Sequence, residues 1–199
     1  MPGLTSGCVV GLQQRCCGGE SVKLRRLCPH HVAAMTKLVR MREESFERFF
    51  ELAVRSHAED NVASGRWSSQ DAEPQARAGA ARLLPQGLAT KGNDLYELQL
   101  PASGEIVGYL WTAAVDRGVK KVAYINQLFI LPEFRRQGHA RRALHAYEAM
   151  ARQGGFDSVA LNVFGSNTAA QTLYRSLGFA VTSIGMHKEL SRDDPKGEG

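Results

Sequence analysis

The apolar positions of this chain carry two rhythms, one of period 3.6 and one of period 2. Residues 37–41 suit a short strand. Phe46, Phe49, Phe50, Ala53, Val54 and His57 then recur at helical spacing, which predicts a helix from near Glu43 to about Ser64 and Gly65. A second helical stretch starts from Ser68 or Ser69 and is closed by Pro85 and Gly87. Residues 94–100 and 105–115 read as strands joined by the Pro101-Ala102-Ser103-Gly104 turn, hence a hairpin. Residues 122–131, "VAYINQLFIL", are apolar enough for a strand inside a sheet. Ala140, Ala143, Leu144, Tyr147, Met150 and Ala151 trace the single buried stripe of a helix. "SVALNVF" is a further strand. Ala170, Leu173, Tyr174 and Leu177 mark a last helix, with Gly178 in its C′ position. "FAVTSIGMHKEL" predicts a closing strand, and residues 191–199 a solvated tail. The succession is that of one mixed α/β domain over residues 35–190, without internal repeats.

The first 34 residues lack any sustained period and hold all four cysteines: Cys8, Cys16, Cys17 and Cys28. No CxxC pair is present and no histidines stand at zinc spacing, so no metal site is expected. A disulfide framework is not expected either, because the folded part has no cysteine to staple. Free thiols in a reducing, cytoplasmic setting are the simpler reading. The segment lacks the apolar core and cleavage site of a secretory signal, while a transit peptide is the other targeting reading. We expect residues 1–34 to be a disordered extension, or the product of an upstream start, with the functional unit beginning at Met35.

Across 199 residues, a 43% hydrophobic and 23% charged composition argues against disorder and fibre. No stretch approaches the roughly 20 consecutive apolar residues of a membrane-spanning helix, so no membrane association is expected. Charge changes the picture little. The net charge is +5, but the first 34 residues carry four basic side chains against one acidic, so most of the excess lies outside the domain. Nucleic acid is therefore not an expected partner, and no recognition helix beside a basic patch is visible.

The chemistry concentrates where a strand turns into a helix, at "LPEFRRQGHA". A helix that starts just after a strand leaves its first N–H groups unpaired and partially positive, which suits phosphate. Gly138 permits close backbone approach, while Arg135, Arg136, Arg141 and Arg142 supply charge. On this fragment alone a plain turn with solvated arginines is equally open. Neither GxxxxGK[ST] nor GxGxxG occurs, so nucleotide and dinucleotide readings lack their fingerprints.

A second constellation, "NTAAQTLYRSLGF", follows on the next strand-helix unit. Together, RxxGxA after an interior strand and NxxAxxLYxxxGF in this order resemble the two cofactor-binding motifs of the GNAT N-acetyltransferase superfamily. The layout of residues 35–190 resembles it as well. The resemblance implies a mixed, mostly antiparallel central sheet flanked by helices, the GNAT acyl-CoA-binding fold. It also implies acetyl-CoA as acetyl donor, no metal, and transfer to a primary amine of a small molecule, peptide or protein, in a monomer or homodimer. By position, the backbone of Arg135, Arg136, Gln137, Gly138, His139 and Ala140 would cradle the coenzyme A pyrophosphate. Leu128, Phe129 and Ile130 would line the pantetheine edge, with a backbone N–H near Phe129 polarising the thioester carbonyl. Asn167 would meet the pantetheine region, and Tyr174 would stand near the sulfur as the catalytic acid.

One departure concerns the base. Many relatives carry a carboxylate on the motif strand, where this chain has Asn126 and Gln127. Glu97, Glu105 and His187 are conceivable replacements, none singled out. A non-catalytic acyl-CoA-binding module is the alternative function. Arg66 and Trp67 would either line an acceptor groove or cover the core.

Overall fold

The computed structural model of the chain describes residues 36–116, 118, 120–186 and 188. The elements run β1 (Lys37–Arg40), α1 (Glu43–Ala63), α2 (Ala72–Leu83), β2 (Asn93–Gln99), β3 (Ile106–Asp116), β4 (Lys121–Ile130), α3 (His139–Gln153), β5 (Ser158–Leu161) and α4 (Thr168–Ser176). Single 3-10 turns, Gly87–Ala89 and Pro132–Phe134, precede β2 and α3. The boundary proposed at Met35 and the tail at 191–199 lie outside the described residues.

The strands form one sheet in the order β1-β2-β3-β4-β5, antiparallel up to β4, with β5 joining β4 in parallel. A parallel pair needs a long crossover, and α3 supplies it. One face of the sheet packs on α3 and α4: Leu98, Leu110, Ala123 and Ile125 meet Ala143, Leu144 and Tyr147. The other face packs on α1 through Phe49 and Ala53 against Leu95, Tyr109 and Trp111. Alanines make the α1–α2 contact close, with Ala58, Ala72 and Ala76 buried beside Val54. The predicted stripe of α3 is largely the observed one. Leu144 is wholly buried, a burial that contributes about 1.5–3 kcal/mol. Met150 is the exception and stays exposed.

β4 contains the irregularity that shapes the molecule. Against β3, Trp111 pairs with Gln127 and Thr112 with Ile125, so the ladder steps over Asn126 as a bulge. The extra residue changes the phase of the strand. Ala123 and Ile125 face α3 before it, and Leu128 and Ile130 face the same side after it. Pairing with β5 ends at the same point, Ile125 opposite Leu161. Gly108, opposite Ile130, keeps the β3 and β4 backbones close: a Cβ there would lie 2.2 Å from the Phe129 carbonyl oxygen.

Two strand expectations need correction. Only Ser158–Leu161 of "SVALNVF" pairs, because beyond Asn126 the neighbouring strand has bent away. Residues 179–186 form no strand. Their apolar positions change phase between Val181 and Ile184, so no single face collects them, and Val181, Ile184 and Met186 are left exposed. The remainder of that segment, His187 among it, is not fully within the described residues.

Candidate active site

The strand-to-helix junction has an electropositive, unfilled N-terminus. Helix α1 opens with Glu43 and Glu44 in its first turn, whereas α3 has no acid there and no side-chain cap. Gly138, its N-cap, has φ 82°, and Arg136 adopts φ 63°, a left-handed conformation uncommon for a residue with a side chain. Among the described residues, the backbone N–H groups of residues 136–141 find no acceptor, while Arg142 N–H already bonds Gly138. A Cβ on Gly138 would enter this cradle and lie 2.8 Å from Arg142 Nη1.

Several side chains of the loop are turned to its own support. His139 is buried; its Nδ1 lies 2.9 Å from Thr36 Oγ1 and 3.2 Å from Arg142 Nη2. Guanidinium can only donate, so Nδ1 accepts and the ring proton sits on Nε2. Burial and then Arg142 push its pKa down, keeping the ring neutral. Gln137 Nε2 donates to the Glu133 carbonyl, Arg135 Nε to the Ile130 carbonyl, and Arg141 Nη2 to Ser176 Oγ on α4. Arg135 also lies over the Phe129 ring. Arg136 alone among these arginines makes no such contact within the described residues. What the loop offers a ligand is therefore chiefly backbone N–H, with one free guanidinium.

Where β4 parts from β5, a cavity of about 500 Å³ opens between α1, α2, the two strands and α4. Leu128, Asn167 and Tyr174 lie on its wall, as does the bulged Asn126. Phe129 and Ile130 do not; they pack into the cores on opposite faces of the sheet. Asn167 caps α4, its Oδ1 accepting from Ala170 N–H at 3.0 Å. Tyr174 packs on Phe179 with ring centroids 5.6 Å apart, and its hydroxyl has no hydrogen-bond partner among the described residues. Burial pushes its phenol pKa up, so it stays protonated at neutral pH.

Of the conceivable bases, neither Glu97 nor Glu105 is on this wall. Glu97 is fully buried, bonded by Arg42 N–H and Nε and by Gln99 Nε2. Burial would raise its pKa, but these bonds and Ser45 outweigh it and hold the carboxyl below the usual range. It is a structural anchor between β2 and α1. Glu105 is exposed in the β2–β3 turn.

Two cavity residues were missed in the sequence, His57 and Asp60. Asn61 Nδ2 donates to the His57 carbonyl at 2.8 Å and meets its ring Nε2 at 3.2 Å. The first bond fixes the amide, so Nε2 accepts and the ring proton sits on Nδ1. Burial pushes the His57 pKa down, and Asp60 offsets this only in part. The His57 ring stands edge-on to Trp67 at 5.3 Å, and Arg66 lies over Phe164 at 5.3 Å. Arg66 and Trp67 thus lie on the cavity wall, and Trp67 also covers the alanine core between α1 and α2.

The comparisons with known proteins agree with this fold. The model of the Acetyltransferase (GNAT) family matches residues 60–179. The chain belongs to the GNAT acetyltransferase family. It is 33% identical over 153 residues to the uncharacterized N-acetyltransferase YycN of Bacillus subtilis, covering 77% of this chain and 97% of that protein. A second uncharacterized N-acetyltransferase of that bacterium, YdgE, is 32% identical over 150 residues, covering 75% and 95%. The crystal structure of YycN matches with a TM-score of 0.76 and 32% identity over 79% of this chain and 100% of that one.

Proposed function

We propose that the protein is an acetyl-CoA-dependent N-acetyltransferase acting on a primary amine. One observation carries the reading: the cavity opens where β4 leaves β5, with Tyr174 on its wall and the α3 N-terminus just beyond that strand, the Tyr174 hydroxyl and the first N–H groups of α3 having no partner among the described residues. Acetyl-CoA would supply an activated acyl group on sulfur. The N–H groups of residues 136–141 and the Arg136 guanidinium would hold its pyrophosphate. The freed edge of β4 from Asn126 to Ile130 would align the pantetheine arm, with Asn167 alongside. Residues Leu128 and Phe129 would present backbone to the carbonyl, where an N–H donor stabilises developing negative charge.

As the amine nitrogen bonds the carbonyl carbon and the carbon–sulfur bond breaks, Tyr174 donates its proton to the departing sulfur. The amine proton passes to water in the open cavity. A neutral phenol held up by burial is suited to that role.

The test is thiol release from acetyl-CoA with a panel of primary amines and peptides, alongside calorimetric titration with acetyl-CoA. Acceptor-dependent release supports the proposal. Tight acetyl-CoA binding with no release across the panel would favour a non-catalytic binding module, and no binding would overturn both.

A further inference from the structure

Several carboxylates of the domain are satisfied by their neighbours. Glu51 is held by both terminal nitrogens of Arg77 at 2.6 and 2.7 Å, Asp94 by Arg40, and Glu97 by Arg42 and Gln99. Asp60, in the last turn of α1, is different. Among the described residues nothing hydrogen-bonds or ion-pairs with its carboxylate, and it is the only carboxylate lining the cavity. Partial burial pushes its pKa up, against a smaller downward pull from His57. His57 cannot take over a cation-binding role, because its Nε2 is occupied by Asn61 and its Nδ1 carries the proton. A half-buried carboxylate without a partner is costly unless something charged completes it.

The rest of the wall limits what that partner can be. Arg66 and Arg82 face the same cavity, so its formal charge is positive despite Asp60. Asp60 can neutralise one positive charge, and each further charge of a polycation would meet only repulsion. Near the carboxylate the wall is aromatic: Trp67 and Phe164 both meet the ring of His57, one turn before Asp60.

We propose that Asp60 is the acceptor-recognition residue, and that the acceptor is a primary amine bearing one positive charge on an apolar or aromatic body. This rests on the reading of the cavity as the acceptor side of the enzyme. Asp60 holds the ammonium group as it enters, and the ion gives a proton to water before its nitrogen attacks; Trp67 and Phe164 flank the body, and the positive wall disfavours polyamines.

Binding of simple probes tests it without requiring turnover. Benzylamine, its uncharged counterpart benzyl alcohol, and spermidine are titrated into the full chain and into Asp60→Asn and Asp60→Ser, following cavity resonances such as the Trp67 indole by NMR. Benzylamine should bind the wild type, bind both variants at least tenfold more weakly, and outcompete spermidine; benzyl alcohol should bind all three chains alike. Equal benzylamine affinity with and without Asp60, preference for spermidine, or no benzylamine binding to the wild type would each overturn the proposal. Acetyl-CoA titration on the same samples keeps the two readings apart. Failure of the wild type to bind acetyl-CoA sinks the transferase reading, whereas an Asp60-independent amine site sinks only this inference.

Discussion

Arg142 Nη2 donates at 2.8 Å to the carbonyl oxygen of Gln137, reaching back past the start of its own helix. The same guanidinium is braced by Thr36, whose Oγ1 accepts from Nε at 3.2 Å. The residue just before β1 thus helps to hold the junction in which residues 136–141 keep their N–H groups free. A chain shortened to begin at Met35 retains this brace, and we expect its melting midpoint and acetyl-CoA affinity to match those of the full chain. Thr36→Val in the full chain should instead weaken acetyl-CoA about two- to tenfold, the range of one hydrogen bond. Calorimetric titration of both proteins is the check. A large loss on shortening, with none for Thr36→Val, would reverse the assignment.

Gly138→Asp should abolish acetyl-CoA binding while the protein stays folded. Its positive φ penalises a side chain by about 1 kcal/mol, and the nearest obstacle to the new Cβ is the flexible end of Arg142, which can swing away. The added negative charge stands at the positive end of α3, where it opposes a phosphate. Arg136→Ala should weaken binding by about 1–3 kcal/mol with an unchanged melting midpoint. Arg135→Ala should lower both, because Arg135 is also bonded to Ile130 and stacked on Phe129. Equal melting losses for the two arginine variants would refute the distinction.

Tyr174→Phe should keep acetyl-CoA affinity and lower kcat by about 10²- to 10⁴-fold, the usual range for a general acid. Stability should hardly change, since the hydroxyl has no partner to lose and the ring contact with Phe179 remains. A Phe variant with full kcat on an identified acceptor would transfer the proton donation to solvent.

Acid should act on the fold through Glu97. Its folded pKa lies below the usual carboxylate value, so the stability it contributes is complete above about 4.3 and is lost as pH falls through the lower folded value. Glu97→Gln should therefore melt below the wild type at pH 7, and the gap should narrow as the pH falls through and below 4. Thermal melts across that range decide it; a gap that widens in acid would contradict the depressed pKa.

Much of this architecture is legible in the sequence, and the exceptions share a cause. Helix α3 announces itself because its stripe at Ala143, Leu144, Tyr147 and Ala151 packs on one surface, and α4 is stopped by Gly178 just past its last turn, where φ is 86°. The bulge at Asn126 is hidden because "VAYINQLFIL" is apolar on both faces, so a change of phase leaves no trace in the alternation. Asp60 leaves little trace in the sequence for a related reason. It continues the α1 stripe of Phe49, Ala53 and Val54 past the edge of the sheet, where the stripe faces open space instead of core. A polar pair, Asp60 and Asn61, ending an apolar stripe was the available signal. The arginines of the junction could be counted in the sequence, but which of them are already engaged depends on the turn that brings Arg135 back to Ile130 and on contacts with Ser176 and Thr36 far along the chain.

The break in β4 is made by an added residue, not by a missing contact. A chain lacking Asn126 would place Ile125 and Leu128 on the faces they now occupy, with every core side chain still at home. Its fourth strand would run straight, and pairing with the fifth could continue past Leu161, into the space that is now the cavity. Such a protein is expected to melt higher and transfer nothing. In this fold a single residue sets robustness against access, and natural selection for the one by deletion would erase the other.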